Sequence, residues 1–173
     1  MTTQNINYFP MSYSYELHNA ILANDMPRIE KALENVRELN CLYYNSKSTP
    51  LRHAILQCNP TIVELLLKRG ASPNHRLEDG LTAFHYAVRT YGASIRMHNL
   101  TMKLRVLLHL LRNGADPDTT DSKGVSARKD LESAQYTIDR MYLVEHCSDP
   151  KAFEQPARPG TPLQESLEGG LYM

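Results

Sequence analysis

Ser48-Thr49-Pro50-Leu51-Arg52-His53-Ala54 and Leu81-Thr82-Ala83-Phe84-His85-Tyr86-Ala87 follow the same pattern. Thr49 pairs with Thr82, Leu51 with Phe84 and Ala54 with Ala87, each at an offset of 33. Upstream, Leu17-His18-Asn19-Ala20 precedes Leu51 through Ala54 at an offset of 34. The endings repeat as well. Leu65-Leu66-Leu67-Lys68-Arg69-Gly70-Ala71-Ser72-Pro73-Asn74 aligns with His109-Leu110-Leu111-Arg112-Asn113-Gly114-Ala115-Asp116-Pro117-Asp118 at an offset of 44, and Asn40 precedes Asn74 by 34. An offset of 44 in place of 33 puts an 11-residue insertion between Ala87 and Val106. A period of this length implies a linear stack of small units in which each shields the apolar face of the next.

Each unit has a physical reading. Thr49 and Thr82 precede apolar helical patterns, where a hydroxyl can accept from the unpaired N–H groups of a helix start. Pro50 falls at the first helical position, where its missing N–H is not needed. Ala54 and Ala87 are small enough to let neighbouring helices approach. Ile62, Val63, Leu65, Leu66 and Leu67 form a broad apolar face at helical spacing, as do Val106, Leu107, Leu110 and Leu111 one unit later. Gly70 and Gly114 supply the left-handed residue that ends such helices, and Pro73 and Pro117 prevent resumption. The pattern predicts an all-α chain of paired antiparallel helices, each pair followed by a hairpin-like loop.

Residues 48–55 with 62–74, and 80–88 with 106–118, resemble ankyrin repeats, whose pattern is G-x-T-P-L-H-x-A followed by L-L-x-x-G-A-x-x-N. The resemblance implies an ankyrin-repeat solenoid of helix–turn–helix units with hairpin loops over residues 13–148, in units of about 13–43, 44–76, 77–120 and 121–148. The middle two match closely. In the first, Val36 stands where the terminal glycine belongs and Tyr15-Glu16 replaces the Thr-Pro. The last keeps only Gly124, the hydroxyl of Ser126 and the helical pattern. Weak end units are expected of a stack, because each exposes a face that interior units bury. Residues 1–12 form an N-terminal extension. Residues 149–173 carry four prolines and three glycines and predict a disordered tail.

Composition narrows the function. Lys plus Arg is 19 and Asp plus Glu is 19, so the formal net charge is zero. The broad basic field that nucleic acid or an anionic membrane demands is absent. Nothing approaches the run of roughly 18 apolar residues needed to span a bilayer. No basic segment followed by an apolar run opens the sequence, so a secretory signal is not expected. Three widely spaced cysteines (Cys41, Cys58, Cys147) suit a reducing compartment. The expected location is cytoplasmic, with the nucleus or delivery into a host cell as variants of it.

Catalytic motifs are missing: there is no phosphate-binding glycine loop, H-E-x-x-H, C-x-x-C or G-x-S-x-G. The seven histidines lack metal-ligand spacing. Adjacent helical residues point about 100° apart, so His146 and Cys147 would not face each other as a thiol–imidazole pair. No catalytic residue, metal or cofactor is assigned. By the resemblance, His18, Thr49, Pro50, Ala54, Gly70, Thr82, His85, Ala87 and Gly114 are structural repeat-motif residues. His18 and His85 join hydrogen bonds within and between units, while Arg52 and Lys129 take that position elsewhere.

What remains is binding. Stacking consumes the apolar faces, leaving loop tips and the inner ends of the first helices to vary. The first loop carries Tyr43, Tyr44 and Asn45, and tyrosine is over-represented at interface hot spots. The second offers His75, Arg76 and Glu78; the third, Asp121 and Lys123. Leu56, Gln57, Arg89 and Thr90 lie at helix ends where ankyrin proteins contact ligands. The insertion, near 91–105, predicts a second helix lengthened by about two turns. Arg89, Arg96, Lys103 and Arg105 meet no carboxylate between Val88 and Asn113, so this projection is locally basic and bears methionines. The expected function is a non-catalytic protein–protein interaction module, monomeric on its own, acting as adaptor, inhibitor or host-directed effector. Small ankyrin proteins that mimic inhibitors of transcription factors fit the plan. The alternative is a nucleic-acid-associated regulator using the basic insertion; an enzyme built on the insertion and its histidines ranks below both.

Overall fold

The computed structural model describes residues 11–42, 48–92 and 100–133. They form α1 (Met11–Leu22), α2 (Met26–Leu33), α3 (Pro50–Leu56), α4 (Pro60–Lys68), α5 (Ala83–Gly92), α6 (Leu100–Arg112) and α7 (Ala127–Ser133). Among the described residues there is no strand, and only an isolated bridge joins Thr120 to Ser126. Three helix pairs are complete: α1 packs on α2, α3 on α4 and α5 on α6. First helices pack on first helices, in the order α1, α3, α5, α7, and α4 packs beside α6 in the second row. The architecture is an all-α solenoid.

Helix starts follow from single side chains. Asp25 accepts from the Arg28 N–H at 3.2 Å, Thr49 from Arg52 at 3.3 Å, and Asn59 from Thr61 and Ile62 at 2.9 and 3.2 Å. Pro27, Pro50 and Pro60 open the helices behind these caps. Gly70 and Gly114 take φ of +96° and +82° just beyond α4 and α6, the left-handed step that ends a helix without a Cβ clash. The core runs the length of the stack through Ile21, Ile29, Ile55, Ile62, Leu66, Phe84, Leu108 and Leu110. Ala20, Ala54 and Ala87 are fully buried at equivalent positions of the first helices, where a larger side chain would hold the units apart.

Polar side chains fix the register between units. The side-chain carbonyl of Asn40 accepts from the Ser72 N–H at 2.7 Å. Asn74, one unit on, accepts from the Asp116 N–H at 2.8 Å and donates to the Gly114 carbonyl at 2.6 Å. Asn59 donates to Asn24 at 2.6 Å across the turns between paired helices. These bonds run from side chain to backbone or turn, so a slip of one residue would break them all.

The expected two-turn extension of the second helix reaches into residues 93–99, which lie outside the described residues. Among the described residues α6 has 13 residues against 9 in α4, about one extra turn, and α5 has 10 against 7 in α3. Both partners of the pair are lengthened, which keeps them level. Tyr91 and Lys103 also leave the projecting face: both are buried, Tyr91 donating to the Ile55 carbonyl at 2.8 Å and Lys103 lying 5.7 Å from the Tyr91 ring centre. An aromatic ring in contact with α3 buries more apolar area than one displayed to water. The second half of the fourth unit, the expected tail (149–173), and Tyr43, Tyr44, Asn45 and Arg96 lie outside the described residues.

Candidate functional site

A cleft of about 400 Å³ opens where α3, α5 and the loop before α5 meet. Its walls include Arg52, His53, Leu56, Glu78, Asp79 and Tyr86. The cap of Thr49 starts α3 so that Arg52 and His53 leave its first turn towards the cleft. The Arg52 guanidinium carbon sits 3.9 Å from the centre of the Tyr86 ring and one of its nitrogens 3.5 Å from Asp79. A cation over a ring face and beside a carboxylate is held in one orientation. The His53 ring meets His18 edge-on with centres 4.5 Å apart. Burial, with His18 and Arg52 adding to it, lowers the His53 pKa to about 4, so the cleft carries a neutral imidazole near pH 7.

Arg52 and His85 occupy equivalent positions, and each reaches forward to the following loop. The Nε2 of His85 lies 3.1 Å from the Val125 carbonyl, which can only accept, and Nδ1 lies 2.9 Å from the Thr82 hydroxyl. That places the ring proton on Nε2 and makes the hydroxyl the donor to Nδ1. Arg52 makes the corresponding link through Asp79. Replacing histidine by arginine at this position therefore keeps the tie between units while presenting a charged plane to the cleft.

Of the residues expected on the partner-binding surface, Asp121 is internal and Arg89, its side chain 35% exposed, is held in ion pairs. Asp121 is buried, accepting from the N–H groups of Lys123 and Val125 at 2.8 and 3.0 Å and from Arg89 at 2.8 Å. The Val125 N–H, and next the Arg89 guanidinium, hold its carboxyl far below the usual carboxylate range. Arg89 also binds Asp130, so it is spent on joining α5 to the fourth unit. Arg76 donates to the Thr120 carbonyl at 2.7 Å, bracing one hairpin against the next. Leu56, Gln57, Glu78 and Lys123 are exposed, and His75 and Thr90 are half-buried. The residues that sequence reasoning passed over are Leu22 and Tyr86. Leu22 precedes Leu56 at the same offset as the rest of its unit and is 47% exposed against 49% for Leu56, so the repeat alone would have found it.

Among the described residues no group of three or more His, Cys, Asp or Glu side chains is placed to hold a metal, and no helix is long and apolar enough to cross a membrane. The arrangement is one of shape, exposed leucines and fixed polar groups.

Residues 17–121 match the family model for ankyrin repeats, in three copies. The chain belongs to the ankyrin-repeat family. Ankyrin repeats are protein–protein interaction modules, and the stack described above has their helix pairs, hairpins and inter-unit bonds. A curated relative, the human B-cell lymphoma 3 protein, is 32% identical over 109 residues, covering 61% of this chain and 21% of that protein. The chain thus spans about a fifth of that relative's length. The solved ankyrin repeat domain of Bcl-3, described as a unique member of the IkappaB protein family, superposes with a TM-score of 0.57 at 23% identity, over 75% of this ankyrin chain and 49% of that one. That likeness establishes the fold.

Proposed function

We propose that this ankyrin stack is a non-catalytic inhibitor or adaptor that holds a protein partner along the ends of its first helices and the adjoining hairpins, as a four-unit, cytoplasmic monomer. The observation that carries this reading is the alignment of Leu22 and Leu56. Equivalent residues of adjacent units, both about half exposed, extend an apolar row along the first helices, and Leu56 lines the cleft. Side chains that stacking leaves in water at repeated positions gain most from a partner. Arg52, Tyr86 and Asp79 beside them are pre-ordered, which limits the entropy lost on binding.

Affinity capture with mass spectrometry, comparing the native chain with Leu22→Asp/Leu56→Asp, tests this. Both sites are at the surface, so helix content is expected to persist while the captured partner is lost. Recovery of the same partner by the double variant would reject the surface. Arg89 is unsuited to such a test, because its replacement would loosen the stack.

A further inference from the structure

We propose that Asn113 and Gly114, at the end of α6, form a self-modifying site: when the last turn of α6 opens, Asn113 converts to aspartate or isoaspartate, and the product loosens the joint between the second and third units. The site is independent of what the cleft binds.

The sequence contains a single Asn-Gly step. A main-chain nitrogen attacks the preceding asparagine side chain most readily when it belongs to glycine, because no side chain shields it. The Gly114 nitrogen, once its proton has passed to hydroxide, bonds to the Asn113 side-chain carbonyl carbon. The bond from that carbon to Nδ2 breaks, and ammonia leaves. Water then opens the resulting five-membered imide at either carbonyl. One opening gives aspartate; the other gives isoaspartate, in which the main chain runs through the former side chain. Water is the only co-reactant, and nothing is oxidised or reduced.

Solvent reaches the site, since Asn113 and Gly114 are both exposed. What holds the reaction back is hydrogen bonding. The Gly114 N–H donates to the Leu111 carbonyl at 3.0 Å, so loss of its proton requires that bond to break. The Asn113 Nδ2 donates to the His109 carbonyl at 2.8 Å, which ties the carboxamide back along α6. Both ties belong to the last turn of the helix, and helix ends open more readily than cores. The vulnerability is built into the chain reversal, because Gly114, at φ of +82°, is the residue that ends α6. Gly70 ends α4 in the same way but follows Arg69, whose side chain has no carbonyl to attack.

The product fits less well for two reasons. A carboxylate at position 113 replaces the donor to His109 and sets negative charge against the carboxyl end of α6. Isoaspartate also adds a methylene to the main chain just before Gly114. The Gly114 carbonyl accepts from Asn74 at 2.6 Å, and Asn74 in turn accepts from the Asp116 N–H at 2.8 Å. Displacing that carbonyl disturbs the bonds that join the hairpin after α4 to the hairpin after α6.

The test incubates the full chain in mildly alkaline buffer without urea, in urea below the unfolding midpoint, and fully unfolded. Peptide mapping by mass spectrometry follows the mass gain of deamidation at Asn113. Conversion is expected in the unfolded chain, about tenfold or more slower in the fold, and rising with urea in step with amide exchange at Gly114. Asn113→Gln, which keeps a carboxamide but cyclises far more slowly, should show none of it. The converted chain, separated by its added charge, is expected to exchange the Asp116 amide faster than the unconverted chain. Asn113→Asp, which carries the charge without the added methylene, should speed that exchange less. Equal rates in the folded and unfolded chain, no conversion in the unfolded chain, or an Asp116 amide that exchanges alike before and after conversion would overturn the proposal.

Discussion

The guanidinium of Arg89 meets the buried carboxylate of Asp121 at 2.8 Å through Nη2 and reaches Asp130 of α7 through Nε. At the equivalent position the first two units carry Leu22 and Leu56. One substitution in the repeat thus exchanges an exposed apolar contact for a polar tie between units. Replacing Arg89 by Leu, the residue type of the other units, is expected to destabilise the stack, because it strands the Asp121 carboxylate. The melting temperature should fall by on the order of 5 °C, and amide exchange of α7 should accelerate more than that of α3. Unchanged exchange in α7 would show that the tie is not what holds it.

Stability should fall as the medium is acidified from neutrality, and His53 should account for part of the slope. Its pKa is lowered from 6.5 to about 4 in the fold. Between those values the unfolded chain binds the proton and the folded chain does not, so the contribution is present above about pH 6.5 and is lost as pH falls towards 4. Urea midpoints measured from about pH 7.5 to about pH 5 should decline for the native chain and decline less steeply for His53→Gln. Identical slopes would assign the effect to other groups.

Asn74 offers a hydrogen-bond test of the stack's register. Its side chain both accepts from Asp116 and donates to Gly114. Asn74→Ala removes both bonds and should cost about 1–2 kcal/mol in urea unfolding. Asn74→Asp keeps an acceptor but sets a carboxylate oxygen against the Gly114 carbonyl, and should be no less damaging.

Two glycines with positive φ should respond unequally to alanine. At Gly70 the site of a Cβ is empty, leaving only the left-handed backbone cost of about 1–2 kcal/mol. At Gly80 the same atom would lie 2.5 Å from the Ser122 backbone nitrogen and 3.0 Å from the Asp121 carbonyl carbon. Gly80→Ala should therefore be the more destabilising of the two by thermal melting, because the hairpin would have to move off its neighbour.

Repetition made the scaffold legible. Thr49, Pro50, Ala54, Gly70, Thr82, Ala87 and Gly114 act locally, on a cap, a helix start, a close approach or a chain reversal, so spacing in the sequence suffices to place them. The pairing of Arg89 with Asp121 was not legible, because each is defined by the other across a unit boundary and no local pattern names that partner. The packing around the insertion was illegible for a related reason. Leu100, Leu104 and Leu107 do continue a helical line upstream of Val106, but spacing could not show that α5 lengthens in step. It also could not show that Tyr91 turns back onto α3. Leu22 was within reach of the same offset argument that found Leu56, and was missed because its unit lacks the Thr-Pro that draws attention to the others.

Tyr91 carries one more implication. Its phenol is sealed between the second and third units, bonded to the Ile55 carbonyl, and burial raises its pKa well above the usual value. Ionisation of that hydroxyl requires the seam to part. Ten tyrosines share the ultraviolet band, so the alkaline absorbance lost in Tyr91→Phe is the part that gauges this one joint and should appear only as it opens.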